Sequence, residues 1–358
     1  MKLVFITQTL DPGDPALAQT VDLVRALAAR TDELAVVTRH VRWDDVPAGV
    51  DVRLFDAASR VGRVASFERA VASSLPRADA VLVHMVPQFL LLASPLARVR
   101  RVPVLLWYTH WHASRALRIA TSLADLVLSV DHSSFPLASP KVRATGHAID
   151  VELFDAPPPA AHGGPMRLLA VGRTARWKGL ATLLEATSLA VAGGLDASLE
   201  IRGPSLTSDE LAHRAELAAL ADGDDRLRGR VVLADAVPRA QLPGLLAAAD
   251  VVVSPNEPRR GATLDKAVFE AAACARPVVS TNAAFSPLLG GLPLPLIAPP
   301  ASPGALADVI SALGVAGIEL RASLGAELRG RVVAGHSLEH WADEVISLVG
   351  EVRSPRGG

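Results

Sequence analysis

The stretch from Val171 to Leu180 reads Val-Gly-Arg-Thr-Ala-Arg-Trp-Lys-Gly-Leu, and it decides the fold. It follows the apolar run Met166–Val171, which has the composition of a buried strand, and a helical pattern begins at its end. A glycine-containing turn between a buried strand and a helix is typical of a parallel α/β sheet. Ligands of such sheets bind at the carboxyl ends of the strands. The turn therefore predicts a binding site as well as a fold.

Two cations, Arg173 and Lys178, lie in this turn. Fixed positive charges beside the free N–H groups of a helix start suit a diphosphate, although an ordinary solvated turn would carry similar residues. Lysine is rare here, because the 36 basic residues include only Lys2, Lys141, Lys178 and Lys266. Two of these four lie in candidate site motifs, which favours the anion-binding interpretation.

Composition excludes several classes of protein. A chain of 358 residues, half of them hydrophobic, predicts two well-packed domains of about 150 to 200 residues each. The net charge of −1 and the lack of basic stretches with interleaved aromatics argue against a nucleic-acid partner. The single cysteine, Cys274, excludes a disulfide framework and a multi-cysteine metal site, and it fits a reducing, cytoplasmic location.

No transmembrane segment is expected. The longest apolar region, Val86 to Tyr108, is interrupted by three prolines and three arginines, and the apolar N-terminus is short enough to be a first strand. Peripheral contact with the inner face of a membrane remains open. The oligomeric state is not indicated by the sequence.

Strand-like and helix-like segments alternate through both halves of the chain, which predicts two doubly wound, parallel, Rossmann-like sheets. The last predicted strand is Leu294–Ile297. We expect four segments: an N-terminal acceptor domain at 1–155, a Pro/Gly-rich linker at 156–165, a donor domain at 166–335, and a C-terminal helix and tail at 336–358.

Common cofactor motifs are missing from the sequence. Neither half begins with Gly-x-Gly-x-x-Gly, so a nicotinamide or flavin enzyme loses support. The P-loop, the Gly-x-Ser-x-Gly elbow and His-Glu-x-x-His are also missing. The acidic segment Asp222–Asp225 has the composition of a polar loop rather than a metal site. We therefore expect neither a resident cofactor nor a metal.

A second group of candidate residues lies between Thr263 and Asn282. Asp265 is a plausible helix N-cap, and Lys266 and Glu270 are spaced to share one helix face. Glu270 is the only acid in an apolar run, and a buried carboxylate is costly unless something hydrogen-bonds it. The Glu270 carboxylate could be stabilised by an ion pair with Lys266, or by hydrogen bonds from the diol of a bound ribose.

Together these motifs resemble the retaining glycosyltransferases of family 4, which have the GT-B fold with two domains facing a cleft. The resemblance rests on Gly-Arg-x4-Lys-Gly from Gly172, and on Phe-Glu-Ala-x-Ala-Cys-x-x-Pro-Val-Val from Phe269. Asp235-Ala-Val-Pro resembles the base-binding loop of that family, and Gly146-His-Ala-Ile-Asp its usual end of the first domain. The last helix resembles the segment that crosses back to the N-terminal domain.

The resemblance implies roles for particular residues. Arg173 and Lys178, beside Gly172, would hold the donor diphosphate, and Glu270 would bind the ribose. The remaining implied donor contacts are Val237, Thr263, Leu264, Asp265 and Lys266. The chain departs from the family at Ala262, which replaces an acid that contacts the donor sugar, and Thr-Leu-Asp replaces a Gly-Phe-Gly loop. The loop after the first strand is reduced to Asp11–Asp14, where Gly13 is the candidate acceptor contact.

An aromatic and histidine run, Trp107-Tyr-Thr-His-Trp-His112, follows a predicted strand of the first half. Aromatic faces stack on sugars and histidines exchange protons, so Trp107, Tyr108 and Trp111 are candidate acceptor contacts. Family members carry a functional histidine at the end of this strand, and His110 is the matching catalytic candidate. We place His112 in the following helix. A purely structural anchor is the alternative interpretation.

These inferences predict a metal-independent, retaining glycosyltransferase. Its donor would be a nucleotide-diphosphate sugar, with UDP favoured over GDP, and its acceptor a hydroxyl of a small molecule or a lipid-linked sugar. Because Ala262 replaces the family acid, a non-catalytic nucleotide-sugar binder is an alternative. A sugar-nucleotide epimerase of the same fold is a second alternative.

Overall fold

The computed structural model describes residues 1–14, 17–257 and 264–353. Contacts divide the chain into two compact units. The first comprises Met1–Ala148 and the C-terminal segment from Gly335, and the second comprises Ile149–Ala334. Each unit is built on its own parallel sheet.

The first unit contains a seven-stranded sheet in the order β5-β3-β1-β6-β7-β8-β9. Every pairing in it is parallel. Continuous apolar runs form the central strands because the sheet is covered on both faces. The strands of this unit, including the separate two-residue pair β2 and β4, are β1 Lys2–Ile6, β2 Thr9–Leu10, β3 Glu33–Thr38, β4 His40–Val41, β5 Val50–Leu54, β6 Ala80–His84, β7 Val104–Trp107, β8 Leu126–Ser129 and β9 Val142–Ala144.

Two helical layers cover this sheet. One face carries α2, α3 and α4, whose apolar side chains pack with alternate strand residues. The other face carries α1 and the final helix, α12. The helices of this unit are α1 Thr20–Ala28, α2 Arg60–Ser74, α3 Pro87–Val99, α4 Arg115–Leu123 and α12 Leu338–Arg353. Helix α3 begins with Pro87. The first residue of a helix needs no backbone N–H for an intrahelical hydrogen bond, so this proline is compatible with the helix.

The second unit contains a five-stranded parallel sheet in the order β12-β11-β10-β13-β14. Its strands are β10 Met166–Val171, β11 Ala197–Arg202, β12 Val231–Ala234, β13 Val251–Ser254 and β14 Val278–Ser280. Its helices are α5 Leu180–Ala192, α6 Ser208–Gly223, α7 Leu242–Ala248, α8 Lys266–Ala273, α9 Ser286–Leu289, α10 Pro303–Val315 and α11 Gly317–His336. The predicted fold class, two Rossmann-like domains with parallel sheets, is confirmed.

Two local features of this unit differ from the prediction. Leu294–Ile297 is not a strand and makes only an isolated bridge, from Ile297 to Ser280. The long helix α11 is absent from the predicted elements, because its four glycines weaken the helical signal. Gly325 is required in that helix, since an added Cβ would lie 2.0 Å from the carbonyl oxygen of Ala275.

The Pro/Gly-rich segment 156–165 packs within the second unit. Arg276, which is fully buried, donates a hydrogen bond of 2.8 Å to the carbonyl oxygen of Pro157. His162 contacts the buried carboxylate of Asp250 at 2.8 Å. The division between the units accordingly falls after Ala148, upstream of the proline run.

Within the described ranges, no single helix has the length and apolarity needed to span a membrane. Helices α10 and α11 satisfy that test only as a pair, and they meet at a bend of 111°.

Candidate functional site

The turn after β10 is shaped by two glycines in close contact with their neighbours. Gly172 has φ +152°, and a Cβ there would lie 3.4 Å from Cε of Lys178. Gly179 has φ +63°, and a Cβ there would lie 1.9 Å from the carbonyl oxygen of Pro255. At Gly172 the positive φ disfavours a side chain, although the space would accept a Cβ, whereas at Gly179 a severe clash excludes one. Gly179 thus allows the turn to lie against Pro255, directly after β13.

Lys178 is held by several contacts and is only 12% exposed. Its Nζ lies 2.5 Å from Oδ2 of Asp265 and 4.5 Å from the ring centroid of Trp177. The side-chain amide of Asn256 donates a hydrogen bond to the same carboxylate oxygen. The ammonium is thus fixed at the start of α8, where the second group of candidate residues lies.

Asp265 differs from its prediction. It occupies the N-cap position of α8, but its side chain makes no capping hydrogen bond to that helix. The carboxylate is used by Lys178 and Asn256 instead. An aspartate directly before a helix is typical of an N-cap, so no local pattern indicates this partner.

Lys266 and Glu270 form the ion pair that their spacing predicts. Nζ of Lys266 lies 3.3 Å from Oε1 of Glu270, whose side chain is 8% exposed. Leu264, beside Asp265, is buried. Thr263 and Ala262 lie outside the described residues.

Arg173 lies on the other side of the turn, toward α6. Its guanidinium is 43% exposed and lies 3.4 Å from Oε1 of the buried Glu210. The backbone N–H of Leu206 donates to the other oxygen of Glu210 at 2.6 Å, which fixes that carboxylate. Glu210 is not among the predicted site residues, because in the sequence it resembles any acid in the first turn of a helix.

These residues share one edge of the second sheet because all its strands are parallel. Arg173 and Lys178 follow β10, Val237 lies half-buried in the loop after β12, and Asn256 follows β13. The backbone N–H of Glu257 donates to the carbonyl oxygen of Trp177 at 2.9 Å, joining two of these loops. Each of the candidate cations Arg173, Lys178 and Lys266 thus has a carboxylate partner.

The histidine run of the first unit follows β7, in a segment without regular structure that ends where α4 begins at Arg115. His112 therefore lies in this segment and not in the helix, which corrects its prediction. His110 is exposed, yet its ring stacks on Trp111 at 5.4 Å and faces Tyr108 at 6.3 Å. This crowding, and secondarily the neighbouring His112, lower the pKa of His110. The lowered pKa favours the uncharged imidazole.

The aromatic candidates occupy different environments. Trp107 is 1% exposed; its ring stacks on His84 at 5.0 Å and packs at a tilt against Trp341 at 4.6 Å. Its role as an acceptor contact is thus corrected: it is a core residue on the α12 face of the sheet. Tyr108 is also buried, and its hydroxyl donates to the carbonyl oxygen of His112 at 2.8 Å. Trp111 is half-buried.

Gly13 lies exposed in the turn after β2. Its N–H donates to Oδ1 of Asp11 at 2.7 Å, and the same oxygen lies 3.0 Å from Arg42. The backbone N–H of Gly13 is therefore already used by the Asp11 carboxylate and is less available to a ligand. It stays a prediction as an acceptor contact.

Among the described residues, no cluster of His, Cys, Asp or Glu is arranged to hold a metal ion. Asp222 and Gly223 end α6, so only Asp224 and Asp225 of the predicted polar loop lie outside the helix. Hydrogen bonds from Ser188 and Arg226 lower the pKa of Asp224 to about 2. Asp225 pairs with Arg228 at 2.6 Å. These carboxylates are used by neighbouring side chains of the second unit.

Comparison with known proteins gives one family match and many structures of similar fold. Residues 165–314 match the family model described as Glycosyl transferases group 1. No curated protein matches the chain by sequence. The match covers the sheet edge that carries the glycine turn, Lys178 and α8.

Solved structures with a similar fold span nearly the whole chain. Anabaena HepE in complex with UDP and glucose is 17% identical with a TM-score of 0.74, covering 98% of this chain and 100% of that chain. Sucrose-phosphate synthase from Thermosynechococcus elongatus is 18% identical with a TM-score of 0.71, covering 98% of each chain. A glycosyltransferase from Rickettsia africae is 13% identical with a TM-score of 0.74, covering 99% and 98%. The chain therefore has the fold of GT-B glycosyltransferases, and the family match supports a glycosyltransferase.

Proposed function

We propose that the chain is a metal-independent, retaining glycosyltransferase that moves a sugar from a nucleotide-diphosphate sugar to a hydroxyl acceptor. The observation that carries this proposal is the arrangement at the carboxyl edge of the second sheet. There the turn at Gly172 brings Lys178 to the start of α8, next to Lys266 and the buried Glu270. Fixed cations at a helix start and a buried carboxylate provide partners for a diphosphate and for a ribose.

The chemistry assigned to these residues is electrostatic. As the bond between the sugar carbon and the diphosphate oxygen breaks, negative charge grows on the leaving diphosphate. Arg173 and Lys178 would stabilise that charge in place, without the reorganisation that water requires. The acceptor oxygen forms the new bond on the same face of the sugar, and its proton passes to the departing phosphate oxygen. Arg173, Lys178 and Lys266 would supply the positive charge that a divalent ion gives in other sugar-transfer enzymes.

The neutral form of His110 fits a role near the reacting sugar, because an uncharged imidazole can both accept and donate a hydrogen bond. Half-buried Trp111, stacked on it, is the remaining aromatic candidate for the acceptor. Trp107 and Tyr108 contribute to the core beneath them.

UDP is the proposed nucleotide. Support comes from the similar fold of HepE, whose structure holds UDP and glucose, and GDP is the alternative. We assign the reaction to the cytoplasm, because the single cysteine, Cys274, has no partner for an internal disulfide, and this fits a reducing compartment.

Two measurements test the proposal. A thermal-shift panel of UDP, GDP and ADP, with their sugars, should show the largest stabilisation with UDP and a UDP-sugar, because ligand binding stabilises the folded state by mass action. Release of UDP from that donor should then require an acceptor, and NMR of the product should show the anomeric configuration of the donor. Tight UDP binding without turnover would indicate a non-catalytic binder. Conversion of the donor without an acceptor would indicate an epimerase.

A further inference from the structure

The arginines from Arg60 to Arg118 share one feature. Within the described residues, none of them forms an ion pair with Asp or Glu. Flanking arginines are paired, as with Arg53 and Asp51 at 2.7 Å or Arg143 and Glu351 at 3.5 Å. We call this set the unpaired arginines: Arg60, Arg63, Arg69, Arg77, Arg98, Arg100, Arg101, Arg115 and Arg118.

The unpaired arginines belong to one helical layer. They lie on α2, α3 and α4 or in the turns that directly follow α2 and α3. These three helices pack together on the same face of the first sheet. All the arginines of the set are exposed except Arg63, which is half-buried. The layer therefore presents a broad basic surface.

Carboxylates are scarce along the same segment. Residues 60–118 contain only Glu68 and Asp79. Asp79 is already paired with Arg353 at 2.9 Å, so it does not neutralise the helical layer. Nine arginines against two acids give residues 60–118 a formal charge of +7, whereas the whole chain has a net charge of −1, so this segment is far more basic than the rest of the chain.

Large aliphatic side chains stand among these arginines. Val61 is 81% exposed, Val99 is 84% exposed and Ile119 is 51% exposed. Val61 adjoins Arg60, Val99 lies between Arg98 and Arg100, and Ile119 follows Arg118. Single exposed aliphatics are common on soluble proteins, but here each lies next to an unpaired cation.

We propose that this layer is a docking surface for a membrane that contains anionic lipids. Unpaired arginines at a surface are attracted to phosphate headgroups, and adjacent aliphatic side chains enter the boundary between headgroups and acyl chains. Nucleic acid is the weaker match, because it favours aromatic side chains for base stacking. On these helices Phe67 is buried and Phe89 packs against the core. The proposal does not depend on the transferase activity.

Vesicle flotation of the full chain tests this surface. The chain should float with vesicles of phosphatidylcholine mixed with phosphatidylglycerol and not with phosphatidylcholine alone. Raising the ionic strength should release it, because salt screens exposed charges. Failure to bind the anionic vesicles at low ionic strength would overturn the proposal. So would binding of an RNA oligonucleotide in preference to the vesicles.

A pair of triple variants localises the contact. Replacing Arg98, Arg100 and Arg101 by Gln should lower the vesicle partition coefficient about 5-fold for each charge, or about 100-fold together. The control replaces Arg226, Arg228 and Arg230 by Gln, which removes the same charge from ion-paired positions of the second unit. It should bind vesicles like the unmodified chain. Equal losses in both variants would overturn the assignment to this layer.

Two further measurements test the aliphatic contacts and the independence of lipid docking from nucleotide binding. Val99→Ser with Ile119→Ser should weaken vesicle binding while leaving its salt dependence unchanged, and an unchanged partition would refute aliphatic insertion. The thermal shift produced by UDP should be the same in all these variants. If the proposed function is wrong, UDP should produce no thermal shift even in the unmodified chain. If only lipid docking is wrong, the UDP response stays and vesicle binding is missing, so the two failures are distinguishable.

Discussion

Replacing Asp265 by Asn should strengthen the binding of nucleoside diphosphates. The Asp265 carboxylate lies 2.5 Å from the ammonium of Lys178, and both side chains are largely buried. A diphosphate that binds Lys178 must compete with this internal anion. The substitution removes the negative charge and keeps the size of the side chain.

The magnitude follows from the contact that the ligand has to replace. A hydrogen bond between charged groups contributes about 1.5 to 3 kcal/mol. Affinity for UDP should therefore rise about 10-fold to 100-fold in Asp265→Asn. Thermal stability without ligand should fall, since Lys178 loses its ion-pair partner.

Isothermal titration with UDP and with uridine separates the diphosphate contact from the rest of the nucleotide. Only UDP should bind more tightly to Asp265→Asn, because uridine lacks the competing anion. Asp209→Asn is the matched control, since Asp209 pairs with Arg176 of the same turn at 3.2 Å, in an exposed position. Weaker UDP binding by Asp265→Asn would refute the reasoning and show that the carboxylate orients Lys178 for the ligand.

Three other predictions concern the remaining site residues. Glu270→Gln should weaken UDP binding by about 1 to 3 kcal/mol in the same titration; an unaltered affinity with a large loss of melting temperature would make Glu270 a structural partner of Lys266. Exhaustive EDTA treatment should leave turnover intact, whereas loss of turnover restored by Mg²⁺ or Mn²⁺ would contradict metal independence. His110→Ala should lower kcat strongly without changing UDP affinity, and His112→Ala should lower it much less. The pKa of His110 is lowered, so its imidazole gains a proton only below the usual histidine pKa of about 6.5. We therefore expect kcat of the unmodified chain to fall only when the pH is lowered into that acid range.

The sheets and the glycine turn are predictable because their signals are local. Continuous apolar runs such as Met166–Val171 indicate strands buried on both faces, and alternation with helices indicates parallel pairing. Gly172 and Gly179 bracket a turn that tolerates no side chain at the second position. The scarcity of lysine in the sequence singles out Lys178 and Lys266, and both lie at the edge of the second sheet.

Other features depend on contacts between distant residues, which sequence patterns do not show. Lys178 and Asp265 are far apart in the chain, and Asp265 resembles an ordinary N-cap. The aromatic run predicts a shared role for Trp107 and Trp111, yet Trp107 is buried against Trp341 of the final helix, and Trp111 lies beyond the strand. Trp107 is buried because it is the last residue of β7, and Trp111 is partly exposed because it lies after the strand.

The proposed function depends most on Lys178 as the residue that holds the donor diphosphate, and kcat/KM for the UDP-sugar in Lys178→Ala tests this role most directly. We expect a loss on the order of 100-fold or more, since removal of one strong electrostatic donor costs about 3 kcal/mol. Lys178→Arg should not restore full activity, because a planar guanidinium does not replace a point charge in a tight turn. Arg176→Ala is the matched control, as Arg176 lies in the same turn but pairs with Glu216 at 2.7 Å. Near-normal turnover in Lys178→Ala, or an equal loss in Arg176→Ala, would contradict the role of Lys178.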